Sequence, residues 1–231
     1  ESSTDSESST DSESSTDSES STDSESSTND ESSNTDGAYD LRDFFTPSQN
    51  ITNTYYKYSK YSLTDAEYAF DEEKPEVYNI SNSGAEITYP ASKDYTDVTF
   101  SSDRITNTMH ILDGVSQSTT TTEMKRYFNL NDVLISTDQT GFLVNCVADA
   151  IDATKTFEVN SSSYTFNDVL TMKCTSEDAN NFAIFFSYYS KGKGLVESFD
   201  RYCFDDSGNL NANLTTCASG FESLKVLVKS E

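Results

Sequence analysis

The sequence predicts an all-β fold: an antiparallel meander closed into a barrel, preceded by a disordered acidic tail. Three observations carry that expectation. Residues 1–36 contain no apolar side chain, whereas residues 37–231 hold all 14 Tyr and all 14 Phe. In that second segment apolar residues recur at period two in short runs broken by Asn, Asp, Gly and Ser, the pattern of half-buried strands. The breaks are short, and short turns force neighbouring strands to pair antiparallel. Roughly ten such strands either expose two edges or close on themselves, and closure removes the edges. A barrel of about eight to ten strands has room for one small ligand. A two-sheet β-sandwich is the alternative.

The tail, residues 1–36, is six hexads, four of them reading ESSTDS, with 12 acids and no base. Nothing in it can be buried to offset the entropy of ordering the chain, and its like charges keep it extended. Ser2 and Thr4, with their repeats, stand three residues before an acid, a context for acidophilic kinases. The carboxylates suit weak, multivalent calcium binding, since Ca²⁺ prefers oxygen ligands. A hydrated spacer and a solubilising tail are the other roles this composition fits.

Residues 37–231 form the predicted β-barrel domain. Residues 40–45 read as a short entry helix ending before Pro47, and residues 122–128 as a second helical candidate. Strands are expected at 55–62, 76–81, 85–89, 94–101, 105–112, 141–148, 155–159, 167–174, 182–189, 197–204 and 224–229. In the sixth of these Phe142, Val144, Cys146 and Ala148 share a face. In 182–189, Phe182, Ile184, Phe186 and Tyr188 share one face, while Ala183, Phe185 and Tyr189 make the other apolar too. A strand apolar on both sides lies inside the molecule or lines a cavity. The run Asp71-Glu72-Glu73-Lys74-Pro75 reads as a solvated loop.

Residues 167–190 run from strand through an acidic, Asn-rich turn into an aromatic strand: NDVLTMKC, TSEDANN, FAIFFSYYS. This segment resembles the penultimate hairpin of lipocalins, with Thr175, Asp178 and Phe182 in the places of a Thr-Asp-Tyr pattern. Residues 51–63 resemble that family's first strand, and 37–231 its usual size. The resemblance implies a secreted calycin barrel, with divergent arthropod salivary lipocalins as the nearest kind. The chain departs from the pattern in having no Trp and in being polar over 205–222, where lipocalins carry a long helix.

Four cysteines at 146, 174, 203 and 217 form no Cys-x-x-Cys pair, so disulfides are expected rather than a zinc site. That implies an oxidising compartment, hence a secreted, extracellular protein. Of three possible pairings, Cys146–Cys174 and Cys203–Cys217 are favoured. Given secretion, the sequons at Asn50, Asn79, Asn160 and Asn213 become glycosylation sites.

The formal charge of −25 excludes a nucleic-acid binder, which needs Lys and Arg for phosphate. One His rules out a multi-histidine metal centre, and no metal or cofactor is expected. No apolar run approaches the roughly 20 residues of a membrane helix. No Gly-x-Ser-x-Gly, P-loop or His-Glu-x-x-His is present, so the chain is expected not to be an enzyme. His110 reads as structural, Asp205–Asn209 as a turn and not a calcium loop, and 191–194 as a hairpin turn. Function is therefore expected to be non-enzymatic binding of a small hydrophobic or amine ligand in the barrel. Tyr95, Asp97, Phe142, Phe186, Tyr188 and Phe199 are the candidate contacts. An aromatic ring beside a carboxylate such as Asp97 suits an amine, through cation–π contact and ion pairing. Two alternatives stand: an acidic matrix, adhesive or mineral-associated protein acting through its tail, and an inhibitor of host proteins acting through surface loops.

Overall fold

The computed structural model describes residues 37–113, 116–139, 142–176, 183–204 and 219–231. The acidic repeats, the turn at 205–209, Asn213 and Cys217 lie outside the described residues. In chain order the elements are β1 (Tyr39–Asp40), α1 (Arg42–Phe45), β2 (Ile51–Lys60), β3 (Ala69–Ser81), β4 (Gly84–Thr88), β5 (Tyr95–Phe100) and β6 (Arg104–Asp113). Then follow β7 (Ser116–Lys125), β8 (Tyr127–Phe128), β9 (Val133–Gln139), β10 (Phe142–Val159), β11 (Ser162–Ser176), β12 (Ala183–Ser190), β13 (Gly194–Phe204) and β14 (Ser219–Ser230).

Twelve strands make one antiparallel sheet in the order β7-β6-β5-β4-β3-β2-β14-β13-β12-β11-β10-β9. Nearly every neighbour in space is a neighbour in sequence, as short turns require, and the long-range join is β2 against β14. The two end strands, β7 and β9, approach each other without pairing. The result is a nearly closed meander barrel with one unsealed seam, while β1 and β8 form a separate two-stranded ribbon.

The sheet has twelve strands where roughly ten were expected. Residues 122–128 are not helical but belong to β7 and β8. The Thr-rich β7 is exposed at 117–121 and buries only Met124 among its described side chains, so it shows no apolar alternation. Asp71–Pro75 is not a loop but part of β3, where Pro75 faces Thr54 of β2. Residues 69–76 of β3 have no partner on the β4 side, which makes a proline tolerable. The expected strands 141–148 and 155–159 are one strand, β10, bent where its register slips at Ala148/Ala150.

One core cluster draws on both sides of the seam, with Ile105 and Met124 from β6 and β7 and Leu134, Cys146 and Ala148 from β9 and β10. Only an enclosed interior brings those residues together. Leu41, Phe44 and Phe128 plug its floor. The predicted Cys146–Cys174 disulfide is present, joining directly opposed residues of β10 and β11. Cys203 is disulfide-bonded as well.

The outer half of the β10–β11 hairpin, residues 154–167, forms an arm. It begins where Ala153 and Asp168 are both skipped in the register. Asp168 adopts a left-handed φ of 48°, a conformation costly for a non-glycine residue. Two further apolar clusters join the arm to the barrel. Phe157 and Phe166 meet Val196 and Leu227, and Val159 meets Tyr58, Leu224 and Val226. At the tip, Asn160 takes both polar edges of Tyr68: its Oδ1 accepts the Tyr68 N–H (2.8 Å) and its Nδ2 donates to the Tyr68 carbonyl (2.9 Å).

Candidate functional site

Alternation sorts the side chains of the wall. On β5, Thr96 and Val98 are buried, and across the ladder they oppose Met109 and Asn107 of β6. On β14, Ser223 and Lys225 alternate with Leu224 and Val226, which face Val159 of the arm. The interior therefore grades from an apolar floor to a polar mouth. β4 and β5 have 5 and 6 residues beside the 13 of β3 and 10 of β6, so the wall is low there. Residues 89–94 border this notch, and a cavity of about 590 Å³ opens through it.

The cavity is lined by Lys57, Glu72, Lys74, Glu76, Tyr89, Asp94, Met109, Ser198, Asp200, Ser223 and Lys225, with Pro75, Ala91 and Ser92 at its rim. Three ammonium groups thus meet four carboxylates. Most are already matched. Glu72 lies 3.2 Å from Lys74 and 3.8 Å from Lys57. Asp94 accepts the Leu112 N–H at 2.8 Å. Glu76 pairs with the Lys225 ammonium and accepts the Tyr78 hydroxyl at 2.8 Å. Tyr55 completes this group, 3.3 Å from the Tyr78 oxygen, donating to the Leu195 carbonyl at 2.9 Å and lying beneath Lys225 at 4.1 Å. Burial, with Glu76 adding to it, holds the Tyr55 phenol far above its ordinary value, and burial does the same for Tyr78. Both stay protonated donors.

Two polar groups of the interior are left over. Among the described residues, no hydrogen bond or ion pair engages Asp200, and burial raises its carboxyl against the opposing pull of Lys57. On the same face as Met109 but one step deeper, Asn107 has a buried Oδ1 with no partner. A buried polar atom without a partner is uncommon in a finished fold. No known protein family, curated protein or solved structure matches this chain.

The six contacts expected from sequence fall into separate places. Tyr95 and Asp97 lie on the outer face of β5, opposite in direction to Thr96 and Val98. There Asp97 sits 3.2 Å from His110 Nε2, and the Tyr95 ring stacks on His110 at 4.3 Å. Phe186, Tyr188 and Phe199 do come together, with ring separations of 6.1 and 6.4 Å. They stand on the wall beneath the arm, where Tyr188 meets Phe157, and not on the face of Phe185 and Tyr189, which packs against the interior core. Phe142 pairs with Gln139 at the start of β10, and its side chain is outside the described residues. Asp200, Asn107, Lys57, Glu76 and Lys225 were not singled out by sequence. For Asp200 and Lys225 the signal was present in the alternation of Ser198–Asp200 and Ser223–Lys225, which reads equally well as a solvent face. Among the described residues, no group of three or more His, Cys, Asp or Glu is placed to hold a metal, and no helix is long and apolar enough to cross a membrane.

Proposed function

We propose that the protein is a secreted, non-enzymatic carrier of the lipocalin-like kind, and that it binds a small organic amine in the polar mouth of its barrel. The observation that carries this is the Asp200 carboxylate, which no hydrogen bond or ion pair engages among the described residues, in a cavity lined by four carboxylates against three ammonium groups. The lining is one negative charge in excess, and an ammonium ion at Asp200 neutralises it. Tyr89 and Met109 offer apolar contact to the ligand's body, and the volume is within the usual range for small-molecule sites. The meander order, the entry helix at the floor and the β2–β14 join support the lipocalin-like reading. The disulfides support an oxidising compartment.

Calorimetric titration with phenethylamine, and with phenylacetate as the anionic control, tests the proposal. The amine is expected to bind and the acid not to, with at least a tenfold loss for the amine in Asp200→Asn. Equal binding of both probes, or an unaffected Asp200→Asn, would overturn it.

A further inference from the structure

We infer that the arm formed by residues 154–167 is a pH-governed strap, docked on the barrel wall while Glu197 carries a proton and released as Glu197 ionises. Glu197 lies on β13 beneath the arm. It is 6% exposed, and its Oε2 is fully buried with no hydrogen-bond partner. Its cross-strand neighbours are Tyr188 of β12 and Val226 of β14. Phe157 of the arm covers Tyr188 at 4.9 Å, and Val159 packs into the cluster that contains Val226. The carboxyl is thus sealed by the arm itself.

The charged and titratable groups around it offer no counterion. From β10, Lys155 is the nearest cation, but its ammonium is spent on Asp152 (2.9 Å) and Thr171 Oγ1 (3.1 Å) and lies over the Tyr188 ring at 4.6 Å. Asp152 and Asp149 add negative charge on that side, felt by the Tyr188 phenol. From β11, Lys173 stands opposite Phe186, two residue pairs along from the Thr171–Tyr188 pair. Below, Arg201 of β13 is paired with Glu222 of β14, which also accepts the Tyr68 hydroxyl at 2.7 Å. On the same cross-strand row, beyond Val226, come Tyr56 of β2 and Glu73 of β3. Tyr164 closes the arm's underside.

An ionised carboxylate in that position is desolvated without compensation. Burial accordingly raises Glu197 from 4.5 to about 8, with Lys155 pulling weakly the other way. The sign follows from linkage: a raised carboxyl favours the docked state fully below about 4.5, progressively less as pH rises, and not at all above about 8. Lifting the arm returns Glu197 to water and relieves the penalty. The hinge for that motion exists in the skipped pair Ala153/Asp168 and the left-handed Asp168. The Asn160–Tyr68 clasp is the catch that opens.

Hydrogen exchange by mass spectrometry on the full chain at pH 5, 7 and 9, corrected for intrinsic rates, tests this. Protection of residues 154–167 is expected to fall at least tenfold from pH 5 to pH 9, while residues 169–175 of β11 stay protected. In Glu197→Gln the arm's protection should not change with pH. Lys155→Met, which removes the cation that favours the carboxylate, should leave the onset of the fall unchanged but deepen it and extend it to higher pH, and keeps the test open should Glu197→Gln not fold. A flat wild-type profile, an equal fall in all segments, a Glu197→Gln profile like wild type, or a fall in Lys155→Met no deeper than in wild type would each refute the strap.

Discussion

Replacing Lys225 by Met removes the ammonium that, alone among the described residues, neutralises Glu76, a carboxylate just 6% exposed. Among the described residues the Tyr78 hydroxyl remains as its single donor. Breaking a buried ion pair from one side costs about 3–5 kcal/mol, because the orphaned charge stays buried. Here the Lys225 side chain is 20% exposed, so water reaches the gap and reduces that figure. The lost contact over the Tyr55 ring adds about 0.5–1 kcal/mol. The expected destabilisation is about 2–4 kcal/mol. Urea denaturation followed by far-UV circular dichroism at pH 7 measures it, with the slope checked for constancy. The decisive control is Lys225→Met combined with Glu76→Gln, which deletes the stranded charge along with its partner. This double variant should recover more than half of the loss. A single variant within about 0.5 kcal/mol of wild type, the range of ordinary surface substitutions, would refute the argument. So would a double variant as unstable as the single one.

Four further outcomes are expected. Removing the Cys146–Cys174 bridge with paired Ala substitutions frees a loop of 28 residues, and denaturation should register a loss of roughly 3–4 kcal/mol. Gly84→Ala places a Cβ on the Val98 carbonyl between β4 and β5, and a fall in thermal midpoint corresponding to more than about 2 kcal/mol should follow. Asn160→Ala should raise hydrogen exchange of the arm at every pH without changing its pH dependence, since it breaks the clasp and leaves Glu197 alone. Phenethylamine affinity should weaken on acidification, because Asp200 binds as a carboxylate and burial has raised its carboxyl, so it neutralises earlier than an exposed Asp.

The fold was largely legible because period-two alternation and short turns are local. Strands β2, β4, β5, β6, β12 and β13 stand within a few residues of their expected positions, and Cys146 finds Cys174 because adjacent antiparallel strands oppose them. What escaped depends on non-local geometry. Thr119–Thr122 carry no alternation, yet pairing with His110–Asn107 makes them a strand. Pro75 and its acidic neighbours look like loop until the missing β4 partner is known. Inside and outside are also ambiguous at the level of one strand. Asp97 and Asp200 each have one apolar chain neighbour, Val98 and Phe199, but the first turns to the outer surface and the second to the interior. The doubly apolar β12 was expected inside the molecule or lining a cavity; it is half-buried, with the interior core on one face and the arm over the other. That the second cover is the chain's own folded-back hairpin depends on Asp168 and the skipped pair, which no periodicity announces.

The unzipped join between β7 and β9 gives this wall a property that a sealed ring lacks. A complete hoop of ladder bonds has a fixed girth, and widening it means breaking rungs. With one gap the circumference can grow or shrink while every existing rung survives. The barrel can then dilate sideways, at a cost set by packing across the slit and not by lost backbone bonds.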